Sequence, residues 1–129
     1  MSDAVMFWTG WGLTGIFSAF LLLASVAPKL ARHASAVDPM GKFGWDPELV
    51  VAIGIIEGVC VLLCLIPPTA VVGLILLTGL LGGAIATQWR IKQPMFSHVL
   101  FGVYVGVAMW GGLWLRSPDL RSLIPLQLG

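Results

Sequence analysis

The sequence predicts an all-α fold, an integral membrane four-helix bundle, and three observations predict it. Hydrophobic residues make up 58% of the 129 residues and charged residues only 10%, against roughly 25% charged in a soluble domain. Mean hydropathy is +0.97. Four windows are long and apolar enough to cross hydrocarbon, which takes about 20 helical residues, and breaks rich in proline or charge separate them. A single domain, 1–129, follows from the length. The net charge is +1, so no basic excess points to nucleic acid and none is expected as a partner.

The first helix is expected at about 4–27. Its apolar run is too long for a signal peptide, and Lys29 and Arg32 follow it rather than precede it, so a retained helix is expected. The connection 28–48 holds Pro39, Pro47, Gly41 and Gly44 with Phe43 and Trp45. That is too irregular for a helix and too apolar for a free linker, so an interfacial loop is expected over the bundle mouth. The second helix, 49–66, ends at Pro67-Pro68, which cannot continue it but can start the next. The third, 69–89, ends before Arg90 and Lys92, and Gln93-Pro94 opens the fourth, 96–115. Beyond Arg116, Leu120, Leu123, Ile124 and Leu126 suit a membrane-surface segment.

Four crossings put both termini on one side. The loops opposite carry Lys29, Arg32, Lys42, Arg90 and Lys92, against Arg116 and Arg121 on the termini side. The positive-inside rule then places the loops in the cytoplasm and the termini outside, in a bacterial inner membrane. Gly54–Gly58, Gly79–Gly83 and Gly102–Gly106 have the spacing that lets membrane helices approach closely. Cys60 and Cys64 share a helix face, which suits two soft core residues better than a disulfide.

Glu57 is the acid in the middle of the second helix, in a stretch otherwise free of charge. A carboxyl in hydrocarbon faces a partner, a cavity or water. Counted from the loop side, Glu57 lies roughly 12 Å deep at 1.5 Å per residue, and Tyr104 of the fourth helix has a similar depth. His98 lies near the mouth, Gln88 closes the third helix, and Lys29 and Arg32 close the first. The other half of the membrane offers mainly Thr9, Thr14 and Thr69. The candidate ligand-binding set is therefore Glu57 with Lys29 and Arg32 as charge partners and Gln88, His98 and Tyr104 as lining. If a cation turns inward, Glu57 keeps its charge; otherwise it serves as a neutral donor. Either form suits the polar head of a lipid-soluble ligand, and a carboxyl beside Tyr104 and His98 suits proton exchange with a quinone-like ring. One Glu, one His and two helix-spaced Cys make no metal ligand set. No phosphate-binding loop, dinucleotide fingerprint or haem-attachment motif is present.

The chain resembles the DoxX-like family of small four-helix membrane proteins. The matching stretches are Ala27-Pro28-Lys29-Leu30, Ile53-Gly54-Ile55-Ile56-Glu57, Leu65-Ile66-Pro67-Pro68-Thr69-Ala70, the run Thr78 to Thr87, and Phe96-Ser97-His98. The resemblance covers roughly Phe7 to Ile124. It implies a four-helix bundle with Lys29 and Glu57 as typical features, and a His at the position that Gln88 occupies. Some members of the family are associated with quinone-linked sulfur oxidation or with membrane oxidoreductase complexes. The expected function is thus a quinone- or lipid-binding accessory subunit of a membrane oxidoreductase system, with lipids and an oxidoreductase as partners. No covalent cofactor is expected, and a quinone is the ligand expected. The alternatives are a non-catalytic scaffold for another membrane protein and a small-solute or proton transporter working as a homo-oligomer.

Overall fold

The computed structural model describes residues 2–126. It contains six helices and, among the described residues, no strand. Helix α1 is Asp3–Leu30, α2 Ala34–Phe43, α3 Pro47–Leu65, α4 Pro67–Arg90, α5 Met95–Arg116 and α6 Pro118–Leu123. The four long ones, α1, α3, α4 and α5, have the length and apolarity of membrane spans.

Sequence chemistry sets their ends. Ser2 caps α1, its Oγ accepting from Val5 N at 3.2 Å. Asp46 starts α3 by accepting from Glu48 N at 3.0 Å. Ile66 is extended ahead of Pro67, and the Thr69 hydroxyl donates back to Leu63 O at 2.9 Å, closing the α3–α4 hairpin. Within α1, Leu21–Val26 forms a π-helical turn. Pro28 follows it; a proline lacks the N–H and crowds the carbonyl four residues back, and a wider turn accommodates that. A second π-helical turn, Met95–Val99, opens α5 after Pro94.

The connection 28–48 is more regular than its composition suggests. Residues Ala34–Phe43 form α2 despite Pro39. His33 Nδ1 accepts from Ser35 N at 3.1 Å at its start. Gly44 ends it at φ +83°, a left-handed position that favours glycine. Met40 anchors it by burial. Capping at both ends outweighs the proline, a balance that residue composition does not display.

Each long helix buries one face at the spacing of successive turns. On α3 that face carries Val50, Gly54, Glu57, Val61 and Cys64; on α5 it carries Gly102, Val105, Met109, Gly112 and Arg116. The helices form a closed ring of antiparallel neighbours, α1 against α3, α3 against α4, α4 against α5, and α5 against α1. Leu21, Cys60, Val61, Cys64, Leu74, Leu77, Val105, Met109 and Leu113 fill the centre. Cys60 and Cys64 are free and buried, as soft core residues should be. Large apolar side chains cover the outside, among them Ile16, Leu23, Ile75 and Val107. In water that surface would be a liability; in lipid it is solvated.

Close approach of α1 and α5 rests on two glycines. A Cβ on Gly10 would lie 2.5 Å from Gly112 O, and one on Gly112 would lie 2.7 Å from Thr14 Oγ1. On α3, a Cβ on Gly54 would meet Lys29 Cβ at 2.8 Å. Of the three spaced glycine pairs, Gly54–Gly58 and Gly102–Gly106 face neighbouring helices. Gly79 and Gly83 face open space. Helix α6 folds across the termini end and sends Leu120 into the core, while Leu123, Ile124 and Leu126 stay exposed.

Candidate functional site

Glu57 is 6% exposed, screened by α1. Its Oε1 accepts from Lys29 Nζ at 3.2 Å. Ser25 Oγ donates to Oε1 at 2.7 Å, with Oε2 at 3.0 Å. Lys29 Nζ donates to the same Ser25 Oγ at 2.6 Å and approaches Ser25 O at 3.4 Å. Ser25 thus bridges cation and anion, giving its one proton to the carboxylate and accepting one from the ammonium. Ser25 and Lys29 are four residues apart, so both reach α3 from one face of α1. Gly54, one turn before Glu57, makes room for the Lys29 stem. The cluster is a closed three-residue tie between α1 and α3. Ser25 was absent from the sequence-derived set. The signal for it was its place one turn before Lys29 on the face that carries Lys29.

The rest of that set does not assemble on Glu57. Arg32 lies just past the end of α1 in a left-handed turn, φ +54°, and stays exposed; only Lys29 supplies the charge partner. His98 is exposed, with Nδ1 2.8 Å from Ser97 Oγ, because the turn after Pro94 leaves it on an outer face. Tyr104 lies off the buried face of α5, is 46% exposed, and donates to Phe96 O at 2.8 Å. Gln88 is half-buried, and its Oε1 is buried without a partner. Depth along a helix did not reveal on which side of it each residue lies.

Two clefts lie elsewhere, and Glu57 lines neither. One is an apolar groove of about 340 Å³ between α4 and α5, floored by Gly82, Gly102 and Gly106 and flanked by Leu81, Ile85 and Trp110. Trp110 is held there by Nε1 donating to Thr78 Oγ1 at 2.8 Å. The other, about 270 Å³, lies at the loop-side mouth between Gly44, Trp45, Ala86, Thr87 and Arg90. Arg90 Nη2 also donates to Phe43 O, fixing the end of α2 against the end of α4. The linings lie at successive depths along α4 but on different faces of it: Thr78, Leu81, Gly82 and Ile85 line the α5 side, whereas Ala86, Thr87 and Arg90 line the side toward Gly44 and Trp45.

The polar groups are not confined to the loop-side half. Arg116, expected at the surface, is 7% exposed at the termini end. Its Nη2 donates to Cys64 O at 2.7 Å and its Nε to Thr14 Oγ1 at 3.3 Å. The Trp11 ring lies over the guanidinium, 4.0 Å from centroid to Cζ. Among the described residues no group of three or more His, Cys, Asp or Glu is placed to hold a metal.

Compared with known proteins, residues 12–112 match a family model described as the DoxX-like family. No curated protein matches the chain, and no solved structure matches it.

Proposed function

From the premise that this chain belongs to the DoxX-like family of membrane proteins, we propose that it holds an isoprenoid quinone or another membrane amphiphile along α4. The tail lies in the apolar groove between α4 and α5, and the polar head turns around the end of α4 to reach the mouth. The observation that carries this reading is the apolar groove between α4 and α5, with a polar cleft beyond it around the loop-side end of the same helix. Small-molecule sites combine an apolar lining with a few placed polar groups. At the mouth those groups are the Thr87 hydroxyl, the Arg90 guanidinium and the Trp45 indole, all suited to donate to a quinone carbonyl or a lipid ester. A quinone there would supply a two-electron, two-proton couple. No side chain at the mouth carries electrons, so an oxidoreductase partner would deliver them. In this reading the Glu57 cluster positions α1 and α3 rather than touching the ligand.

Orientation follows from the cations outside the packed interior. Lys29 and Arg116 are engaged within the bundle, which leaves Arg32, Lys42, Arg90 and Lys92 on the loop side against Arg121 at the other. By the positive-inside rule this distribution supports a cytoplasmic loop side, in our reading in a bacterial inner membrane.

Gly82→Leu tests the groove. A Cβ on Gly82 meets nothing within 4 Å, so the side chain fills the groove without disturbing the fold. In native mass spectrometry of gently extracted protein, a co-purifying quinone or lipid should be present in the wild type. Occupancy should fall about tenfold in the variant, which is about 1.4 kcal/mol. Equal occupancy in both refutes the site.

The open faces of Gly79 and Gly83 favour a second reading, docking of a partner's membrane helix against α4. Those residues lie outside the groove lining. Gly79→Leu that abolishes partner pull-down while leaving the amphiphile bound supports the scaffold; loss of neither supports the groove alone.

A further inference from the structure

The termini end of the bundle holds a buried cation that the amphiphile site does not use. Arg116 is 7% exposed, and no carboxylate lies within ion-pair distance of it among the described residues; the ion pair among those residues is Lys29–Glu57, in the loop-side half. Burying a charge is costly unless it is paired or richly hydrogen-bonded. A guanidinium has five N–H donors. Two hydrogen bonds are made, from Nη2 to Cys64 O and from Nε to Thr14 Oγ1, and Nη1 makes none to a described residue. The carbonyls of Trp114 and Leu115 at the end of α5 accept from Arg121 Nη1 instead, the former at 3.2 Å. The Trp11 ring covers one face, which favours the cation but does not neutralise it.

Position decides what can. Arg116 is the last residue of α5, whose span of 22 residues measures about 33 Å at 1.5 Å per residue, the thickness of the hydrocarbon core. That puts the backbone of Arg116 at the headgroup boundary, and the guanidinium reaches inward from there to Thr14 and Cys64. Its planar fork matches the oxygens of a phosphate in a way that an ammonium does not.

We propose that Arg116, backed by Trp11 and Thr14, is a phosphate-binding site at the termini-side surface of the membrane. Its ligand is a phosphate oxyanion, from a phospholipid headgroup or from free phosphate.

The test uses full-length protein extracted in a maltoside detergent and stripped of lipid. Phosphatidylglycerol is titrated back in native mass spectrometry, and inorganic phosphate is titrated in a thermal melt against chloride at equal ionic strength. Lipid binding that weakens about tenfold in Arg116→Lys but less than about twofold in Arg121→Gln supports a headgroup site. A phosphate-specific stabilisation with the same dependence, and no lipid retention, supports free phosphate. Should Arg116→Lys fail to fold, dipolar coupling between ¹⁵N-guanidinium and ³¹P in the wild type replaces it. Coupling at the Arg116 signal supports the site. Absence of that coupling, equal binding by wild type and Arg116→Lys, or no binding of either probe overturns it.

Discussion

Replacing Glu57 by leucine should unfold the bundle or bring it close to unfolding. The substitution leaves the Lys29 ammonium between α1 and α3 with no counter-charge and takes both acceptor oxygens from Ser25. Removing one partner of a buried ion pair costs about 3–5 kcal/mol. Lys29 keeps 22% of its side-chain surface and can turn toward the loop-side surface, so the lower end of that range is expected. Glu57→Gln should cost less, since the amide still accepts from Ser25 and Lys29. The double variant Lys29→Met/Glu57→Leu removes both charges and should recover most of the loss. Denaturation in detergent of the wild type, Lys29→Met, Glu57→Leu and the double variant forms a double-mutant cycle. A Glu57→Leu protein as stable as the wild type refutes the tie.

A second large effect is expected where α1 crosses α5. Gly10→Ala places a Cβ 2.5 Å from Gly112 O and 2.8 Å from Arg116 N. Both are backbone atoms, so no rotamer change relieves the clash and the helices must separate. Overpacking of this kind costs about 1–3 kcal/mol, and separation also withdraws Thr14 from Arg116. Gly79→Ala is the control, because its Cβ meets nothing within 4 Å; it should match the wild type or exceed it slightly, alanine being the better helix former. The comparison is a pair of melting temperatures, and equal values for the two variants contradict the close crossing.

Much of the architecture was legible because membrane crossing demands long apolar runs, and proline and charge mark their ends. Each of the four helices predicted as a membrane span has its counterpart in α1, α3, α4 and α5. Lys29 was legible as a partner because it is a cation at the loop-side end of a neighbouring helix, with a stem long enough to bend inward to Glu57. Depth alone misled for Tyr104 and His98, because angular position on a helix follows from which face packs, and α4 and α5 are apolar nearly all round. Helix α2 was hidden because its stability lies in two caps and one buried methionine rather than in its composition. Arg116 was hidden for a different reason. A terminal arginine reads as a surface anchor, and only the approach of Gly10 to Gly112, unmarked by any spaced glycine motif, draws it under Trp11. The two clefts are likewise products of packing, since Gly82, Gly102 and Gly106 form a groove only once α4 and α5 are side by side.

The chain contains two glutamates and three lysines, which makes the α1–α3 tie directly measurable. Solid-state NMR of protein in bilayers, with ¹³C-labelled glutamate and ¹⁵N-labelled lysine, reports the distance from the Glu57 carboxyl carbon to Lys29 Nζ. Strong dipolar coupling at a separation of about 4 Å or less is expected for a hydrogen-bonded ion pair. A Glu57 carboxyl signal with no coupling to any lysine nitrogen would contradict the central claim, that this acid is held inside the bundle by the first helix.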